Sequence, residues 1–332
     1  MKISSLCKWI ITAVSIICMA VSLSGCESPL SGGSASHRVN IAIQPSGAFV
    51  PIFIAKEEGW IEKDLSTLGV TVAWDTFESG PPMNESLLAS DSDIGFIGDV
   101  PTVTVCAPGN GVEVVAIAAQ AAGSYAILTP SDSDIKSAAD LKGKRVATVF
   151  GSTSHNMIEK YLSTAGLTIN DIELVNISAG DAASVIDSKR ADALAIWEPN
   201  VTRLVEDSGA VIIGEGPDCG LAGTNAIVSR TKYAEGNKEV ISVILSAYKR
   251  AADALAEGSV SDETLDAVSG YLGITREQLD EIIPKFVYSV EITQEDIMAL
   301  NDTIDFLNRN GIMRSNYDIS QSADGSYYKG ER

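Results

Sequence analysis

Two stretches of this 332-residue chain repeat one pattern, and the repeat limits the folds open to it more than any other feature. RVNIAIQPSGAFVPIFIAKEEGW begins at Arg38, and RVATVFGSTSHNMIEKYLSTAGL begins at Arg145. Each is a short β-branched run, a small polar turn, a helical apolar period and a glycine. Without gaps, Arg38 aligns with Arg145, Val39 with Val146, Ser46 with Thr153 and Gly59 with Gly166. Further along, SDIGFIGDVP from Ser92 matches ADALAIWEPN from Ala191, so that Asp93 meets Asp192, Ile97 meets Ile196 and Asp99 meets Glu198. Both are strands that end at an acid opening the next helix. Two matched pairs in the same order predict two similar α/β lobes.

The rest of the pattern agrees. Residues 39–43, 70–74, 94–97, 114–118, 145–149, 172–177 and 193–196 read as short buried strands, with helical periods such as Met157, Ile158, Tyr161, Leu162 and Ala165 between them. That alternation predicts a mostly parallel sheet in each lobe, covered by helices on both faces. After Lys238 the pattern is helical, with Ile241, Ile244, Leu245, Tyr248, Ala252 and Leu255 on one face and Ile297, Leu300, Ile304 and Leu307 on another. Shorter helices are expected over 262–272 and 275–285. From Ser315 on, Ser, Asp, Gly and Tyr predict a weakly ordered tail or a closing strap.

The N-terminus adds an address. Lys2 and Lys8 precede an uncharged apolar run, residues 9–23, which ends in Leu23-Ser24-Gly25-Cys26. This is the layout of a secretory signal, and the run is shorter than the roughly 20 residues of a spanning helix. The L-S-G-C ending resembles a lipobox. Residues 1–25 are therefore expected to be a lipoprotein signal peptide, with Cys26 as the lipidation site and 26–37 as a flexible tether. The protein is expected outside the cytoplasmic membrane, lipid-anchored on its outer face.

The net charge of −20, from 44 acidic and 24 basic side chains, argues against nucleic acid and anionic lipid surfaces as partners. Five cysteines are present. Past Cys26 there remain Cys106 and Cys219, too few for a disulfide framework; they are either one bond or two free thiols.

In sheets of this kind ligands bind beyond the carboxyl ends of the strands. Those ends carry Gln44-Pro45-Ser46, Gly98-Asp99-Val100, Gly151-Ser152-Thr153-Ser154-His155 and Trp197-Glu198-Pro199. The turn at 151–155 follows a strand and opens a helix, where free N–H groups and the helix dipole favour an anion; Ser152 or Thr153 would equally serve as a plain N-cap. The turn holds no Lys or Arg, which suits a sulfonate, sulfate, nitrate or carboxylate held by dipoles. His155 is a first-turn bystander or one more donor. Asp99 and Glu198 either complement helix dipoles or meet an amine on the ligand. Trp197 and Phe49 offer apolar walls. Nucleotide-binding, zinc-protease, nucleophile-elbow and C-x-x-C motifs are all missing, and no cofactor or metal is expected.

Asp140-Leu141-Lys142-Gly143-Lys144-Arg145-Val146, the 151–155 turn, Ala191-Asp192-Ala193, Trp197-Glu198-Pro199 and Ile54-Ala55-Lys56-Glu57-Glu58-Gly59-Trp60 together resemble the aliphatic-sulfonate, taurine and nitrate-binding receptors of ABC importers. The resemblance implies a two-lobed type II periplasmic-binding-protein fold. Lobe one would comprise 38–129 and 223–332, including the C-terminal helices, and lobe two 130–222, with the ligand cleft between them. It further implies that the turns at Gln44–Ser46, Gly98–Val100, 152–155 and 197–198 face that cleft. The function implied is that of a monomeric receptor, not an enzyme, which captures an alkanesulfonate or taurine-like anion. It would deliver that solute to a permease with its cytoplasmic ATPase. Ser152, Thr153 and Ser154 would bind the head group, with Gln44 and Ser46 closing from lobe one and Glu198 or Asp99 holding any amine. The alternatives are a receptor for a thiamine-pyrimidine or other heterocycle sandwiched by Phe49 and Trp197, and a ligand-sensing ectodomain.

Overall fold

The computed structural model describes residues 37–330; the expected signal peptide, Cys26 and most of the tether lie outside the described residues. The chain runs β1 (His37–Ile43), α1 (Val50–Glu57), α2 (Trp60–Ser66), β2 (Val70–Thr76), α3 (Gly80–Ala89), β3 (Ile94–Gly98), α4 (Asp99–Val105) and β4 (Val112–Gln120). It continues through β5 (Tyr125–Thr129), β6 (Arg145–Thr148), α5 (Thr153–Thr164), β7 (Glu173–Asn176), α6 (Ala182–Asp187), β8 (Ala193–Trp197), α7 (Asn200–Ser208) and β9 (Val211–Glu215). It ends with β10 (Thr224–Arg230), α8 (Thr231–Gly236), α9 (Lys238–Glu257), α10 (Asp262–Leu272), α11 (Arg276–Ile282), β11 (Val287–Tyr288) and α12 (Gln294–Arg309).

Two sheets form, in the orders β11-β4-β10-β3-β1-β2 and β7-β6-β8-β5-β9. The repeat is visible in them: β1 lies parallel between β2 and β3, as β6 lies parallel between β7 and β8. The aligned aspartates do the same work in each lobe. Asp93 accepts the Asn40 N–H at 2.8 Å, and Asp192 accepts the Arg145 N–H at 2.8 Å.

The sheets are mixed rather than mostly parallel. Strand β10 is antiparallel to β3 and β4, and β5 is antiparallel to β8 and β9. The reason is connectivity. A strand arriving from the other lobe enters at the carboxyl rim and must run away from it, against strands that run towards it. This also moves the expected boundary at 129/130, because β5 pairs with β8 in the second sheet. The chain crosses between β4 and β5 and returns between β9 and β10.

Lobe one has apolar layers on both sheet faces. On one, Ile41, Ile43 and Phe96 pack against α1 and the buried stripe of α9, including Ile244, Leu245 and Tyr248. On the other, Met83, Leu87, Ile97 and Val103 meet Leu300, Ile304 and Leu307 of α12. Each such side chain contributes about 1.5–3 kcal/mol of transfer free energy. Lobe two is built around Val146, Ala147, Leu194, Ile196, Met157, Ile158 and Leu162. The C-terminal segment is a strap on lobe one: Ile319 and Tyr327 are buried, and the Tyr317 hydroxyl donates to the Val103 carbonyl at 2.5 Å. Cys106 and Cys219 are free thiols.

Candidate functional site

The rims of the two sheets meet around a small cavity lined by Gln44, Ser46, Gly98, Ser152, Thr153 and Trp197, together with Gly80, Pro101, Tyr125 and Asn225. The lobes are closed on it. The centre of a water-sized sphere has about 20 Å³ to move in, room for about one water. Contacts between the lobes ring the cavity. Lys160 pairs with Asp302 at 2.5 Å, Gln278 Nε2 donates to Glu206 at 2.6 Å, and the Gly47 N–H donates to the Glu198 carbonyl at 3.4 Å.

The turn at 151–155 folds as an N-cap. Gly151 takes φ +75°, a conformation that glycine adopts without strain. Ser152 Oγ accepts from the His155 N–H at 3.4 Å and donates to the Val149 carbonyl at 2.7 Å, so its hydroxyl is occupied within its own turn. The Thr153 hydroxyl donates to Asp99 Oδ1 at 2.5 Å, across the lobes. Ser154 is fully buried, does not line the cavity, and its Oγ has no partner among the described residues. What the turn leaves open is main chain: the N–H groups of Thr153 and Ser154 carry no hydrogen bond among the described residues.

Opposite them, Gln44 is 6% exposed and its Oε1 is buried without a partner among the described residues. Trp197 ends β8 and lines the cavity. Ser46 caps the turn before α1, accepting from the Ala48 N–H at 3.3 Å. Gly98 has to be glycine, since a Cβ there would stand 2.6 Å from Thr153 Oγ1. No Lys or Arg lines the cavity. The favourable field for an anion therefore comes from the α5 dipole and unpaired amides.

Five further expected site residues are placed differently. Phe49 is completely buried in lobe one, edge-on to Phe96 with centroids 5.9 Å apart; its helical position turns it under the rim, so it is core and no wall for a ligand. Val100 is 2% exposed and packs in the second apolar layer of lobe one. His155 lies outside the inner cavity, stacked on Phe150 at 5.2 Å. Its Nδ1 accepts from the Gly151 N–H at 3.4 Å, and burial lowers its pKa. The two acids do not line the cavity. Asp99 also accepts from the Val100 N–H at 2.6 Å and the Thr303 hydroxyl at 3.0 Å. Burial raises its pKa, against the pull of these hydrogen bonds. Glu198 is fully buried and accepts from the Thr202 N–H and hydroxyl, each at 3.0 Å, and from Lys285 Nζ of lobe one. Both carboxylates thus hold the other lobe, and neither is free for a ligand amine.

Sequence reasoning missed Gly80, Pro101, Tyr125 and Asn225. Tyr125 is the first residue of β5 and Asn225 the second of β10, the strands that follow the two crossings between lobes, and the Tyr125 hydroxyl donates to Asn225 Oδ1 at 3.3 Å. Recognising those crossing strands was the missing signal. Gly80 carried one: Ser79-Gly80-Pro81-Pro82 marks a helix start. Among the described residues no group of three His, Cys, Asp or Glu could hold a metal ion, and no helix is long and apolar enough to cross a membrane.

Residues 46–258 match the family described as NMT1/THI5 like. The chain is 28% identical over 327 residues to the "Putative aliphatic sulfonates-binding protein" of Bacillus subtilis (strain 168), covering 97% of this chain and 96% of that one. It superposes on the alkanesulfonate-binding protein SsuA from Xanthomonas axonopodis pv. citri, solved bound to MOPS. The TM-score is 0.79 at 24% identity, over 86% of this chain and 98% of that one, which shows the same fold. The periplasmic aliphatic sulphonate binding protein SsuA from Escherichia coli gives a TM-score of 0.75 at 26% identity, over 86% and 91% of the two chains. All three are named as binding proteins rather than enzymes.

Proposed function

The chain belongs to the NMT1/THI5-like family, and we propose that it is an extracytoplasmic solute-binding protein of an ABC importer that takes an organic sulfonate between its lobes. The observation that carries this reading is the head of α5, where the N–H groups of Thr153 and Ser154 are unpaired among the described residues, at a cavity that Thr153 and Gln44 line and no cationic side chain enters, the Gln44 Oε1 being buried without a partner among the described residues. A sulfonate stays ionised at any physiological pH and spreads its charge over three oxygens, which suits several neutral donors better than one counter-ion. The head-group donors in this reading are main-chain amides, Gln44 and the Trp197 indole N–H. The hydroxyls of Ser152 and Thr153 stand behind them.

A receptor, not a catalyst, fits the same geometry. Among the cavity hydroxyls, Ser152 donates to the Val149 carbonyl, Tyr125 to Asn225 Oδ1 and Thr153 to Asp99, so these three are spent on contacts that hold the turns and lobes in place. The partners in this reading are a membrane permease with its cytoplasmic ATPase. A lipid on Cys26 would hold the monomeric receptor at the membrane, and Cys26→Ser should then release it from the membrane fraction.

The test is a thermal-shift panel of taurine, alkanesulfonates, nitrate, sulfate and thiamine precursors. A ligand at 100 times its Kd stabilises by about 2.7 kcal/mol, a clear rise in melting temperature. Shifts with sulfonates support the reading; shifts confined to heterocycles or to nitrate refute it.

A further inference from the structure

Resting on the sulfonate reading above, we propose that the hollow just outside the head-group cavity is a second subsite, which takes the organic body of the solute. It selects an uncharged aryl or cyclic body over a small alkyl group or one bearing a second anion. The inner cavity leaves about 20 Å³ of free room, whereas the adjoining hollow, by the same measure, has about 680 Å³. It lies between the lobes, with Phe77, Pro81 and Pro82 on one side and Phe150 and Ile177 on the other.

The two spaces are lined by neighbouring residues of the same two segments. Gly80 lines the inner one and Pro81 the outer; Ser152 lines the inner one and Phe150 the outer. Between Phe150 and Ser152, Gly151 lies beside Pro81, where a Cβ would stand in ordinary contact, 3.4 Å from Pro81 Cγ.

Phe150 is 40% exposed while its ring is stacked on His155, tilted by 17°. The result is a flat, braced aromatic surface, near Phe77, Pro81, Pro82 and Ile177, in a hollow whose lining is half apolar and half polar. Such a surface suits an aromatic or cyclic body and wastes its area on a methyl group. The charged residues of this lining are Glu78 and Asp181. A second anionic group on the solute would meet like charge there.

The experiment is calorimetric titration of the full-length protein with methanesulfonate, benzenesulfonate and 3-sulfobenzoate, which share one head group. Benzenesulfonate should bind roughly tenfold or more tightly than methanesulfonate, and 3-sulfobenzoate should lose that advantage. Phe150→Ala, whose fold is checked by its ligand-free melting temperature, should weaken benzenesulfonate about fivefold. Equal affinity for methanesulfonate and benzenesulfonate, or an unchanged benzenesulfonate affinity in Phe150→Ala, overturns the subsite. Binding of none of the three contradicts the sulfonate reading itself and takes the subsite with it, a distinct result.

Discussion

The Thr153 hydroxyl at the head of α5 in lobe two is hydrogen-bonded, at 2.5 Å, to the Asp99 carboxylate at the head of α4 in lobe one. The aligned acid of the other lobe, Glu198, reciprocates through Lys285 of lobe one. Each lobe thus offers the acid after its third strand to the opposite lobe, and the cavity lies between these two ties.

Thr153→Val removes the cross-lobe donor and leaves Asp99 with two partners instead of three. An unreplaced hydrogen bond to a buried charge costs about 1.5–3 kcal/mol. The expected outcome is a lower urea midpoint, with sulfonate affinity reduced through poorer closure while the α5 amides stay in place. Complete loss of binding in a folded variant would mean that the hydroxyl itself holds the head group.

Asp99 gives a pH signature. Burial raises its folded pKa above 3.8. A raised carboxyl contributes stability that is fully present below pH 3.8 and is lost as pH rises through the folded value. Asp99→Asn keeps an acceptor for Thr153 and cannot titrate. Its melting temperature relative to the parent should therefore rise as pH increases from 3.8, and level off above the folded pKa. A constant difference across that range would contradict the burial argument.

Lys285→Ala leaves the fully buried Glu198 carboxylate with Thr202 alone. Removing one partner of a buried pair costs about 3–5 kcal/mol; the Lys285 side chain is one-third exposed, and solvent screening brings this to about 2 kcal/mol. Chemical denaturation measures it, and a loss below half that figure would show the pair to be a surface contact in energetic terms.

Phe49→Ala should cost about 3–5 kcal/mol, as for other buried aromatic truncations, because Phe49 packs wholly inside lobe one. Ligand affinity in the folded fraction should change little. A large affinity loss with small destabilisation would restore Phe49 to the binding wall.

Much of the fold was legible because the repeat is written in local pattern. Asp93 and Asp192, equivalent in sequence, each bind an amide of the neighbouring strand, although the strand register matches Asn40 to Arg145 and so shifts the gapless alignment of Arg38 with Arg145 by two residues. The turn at 151–155 was legible as a capped helix start for the same reason. Long-range pairing was not. Strands β5 and β10 look like any apolar run until their partners are known, so their direction, and the cavity residues Tyr125 and Asn225 near their starts, were hidden. Phe49 was misplaced because a residue next to a rim turn can face either the cleft or the core, and only packing against Phe96 and Tyr248 decides. The cross-lobe partners of Asp99 and Glu198, Thr153 and Lys285, lie 54 and 87 residues away, beyond any spacing rule.

The most direct test is a crystal structure with a bound alkanesulfonate. The account predicts sulfonate oxygens within about 3 Å of the Thr153 and Ser154 nitrogens and the Gln44 amide, with the lobes closed around them. A sulfonate seated outside that cavity, or held there by a lysine or arginine, would contradict it.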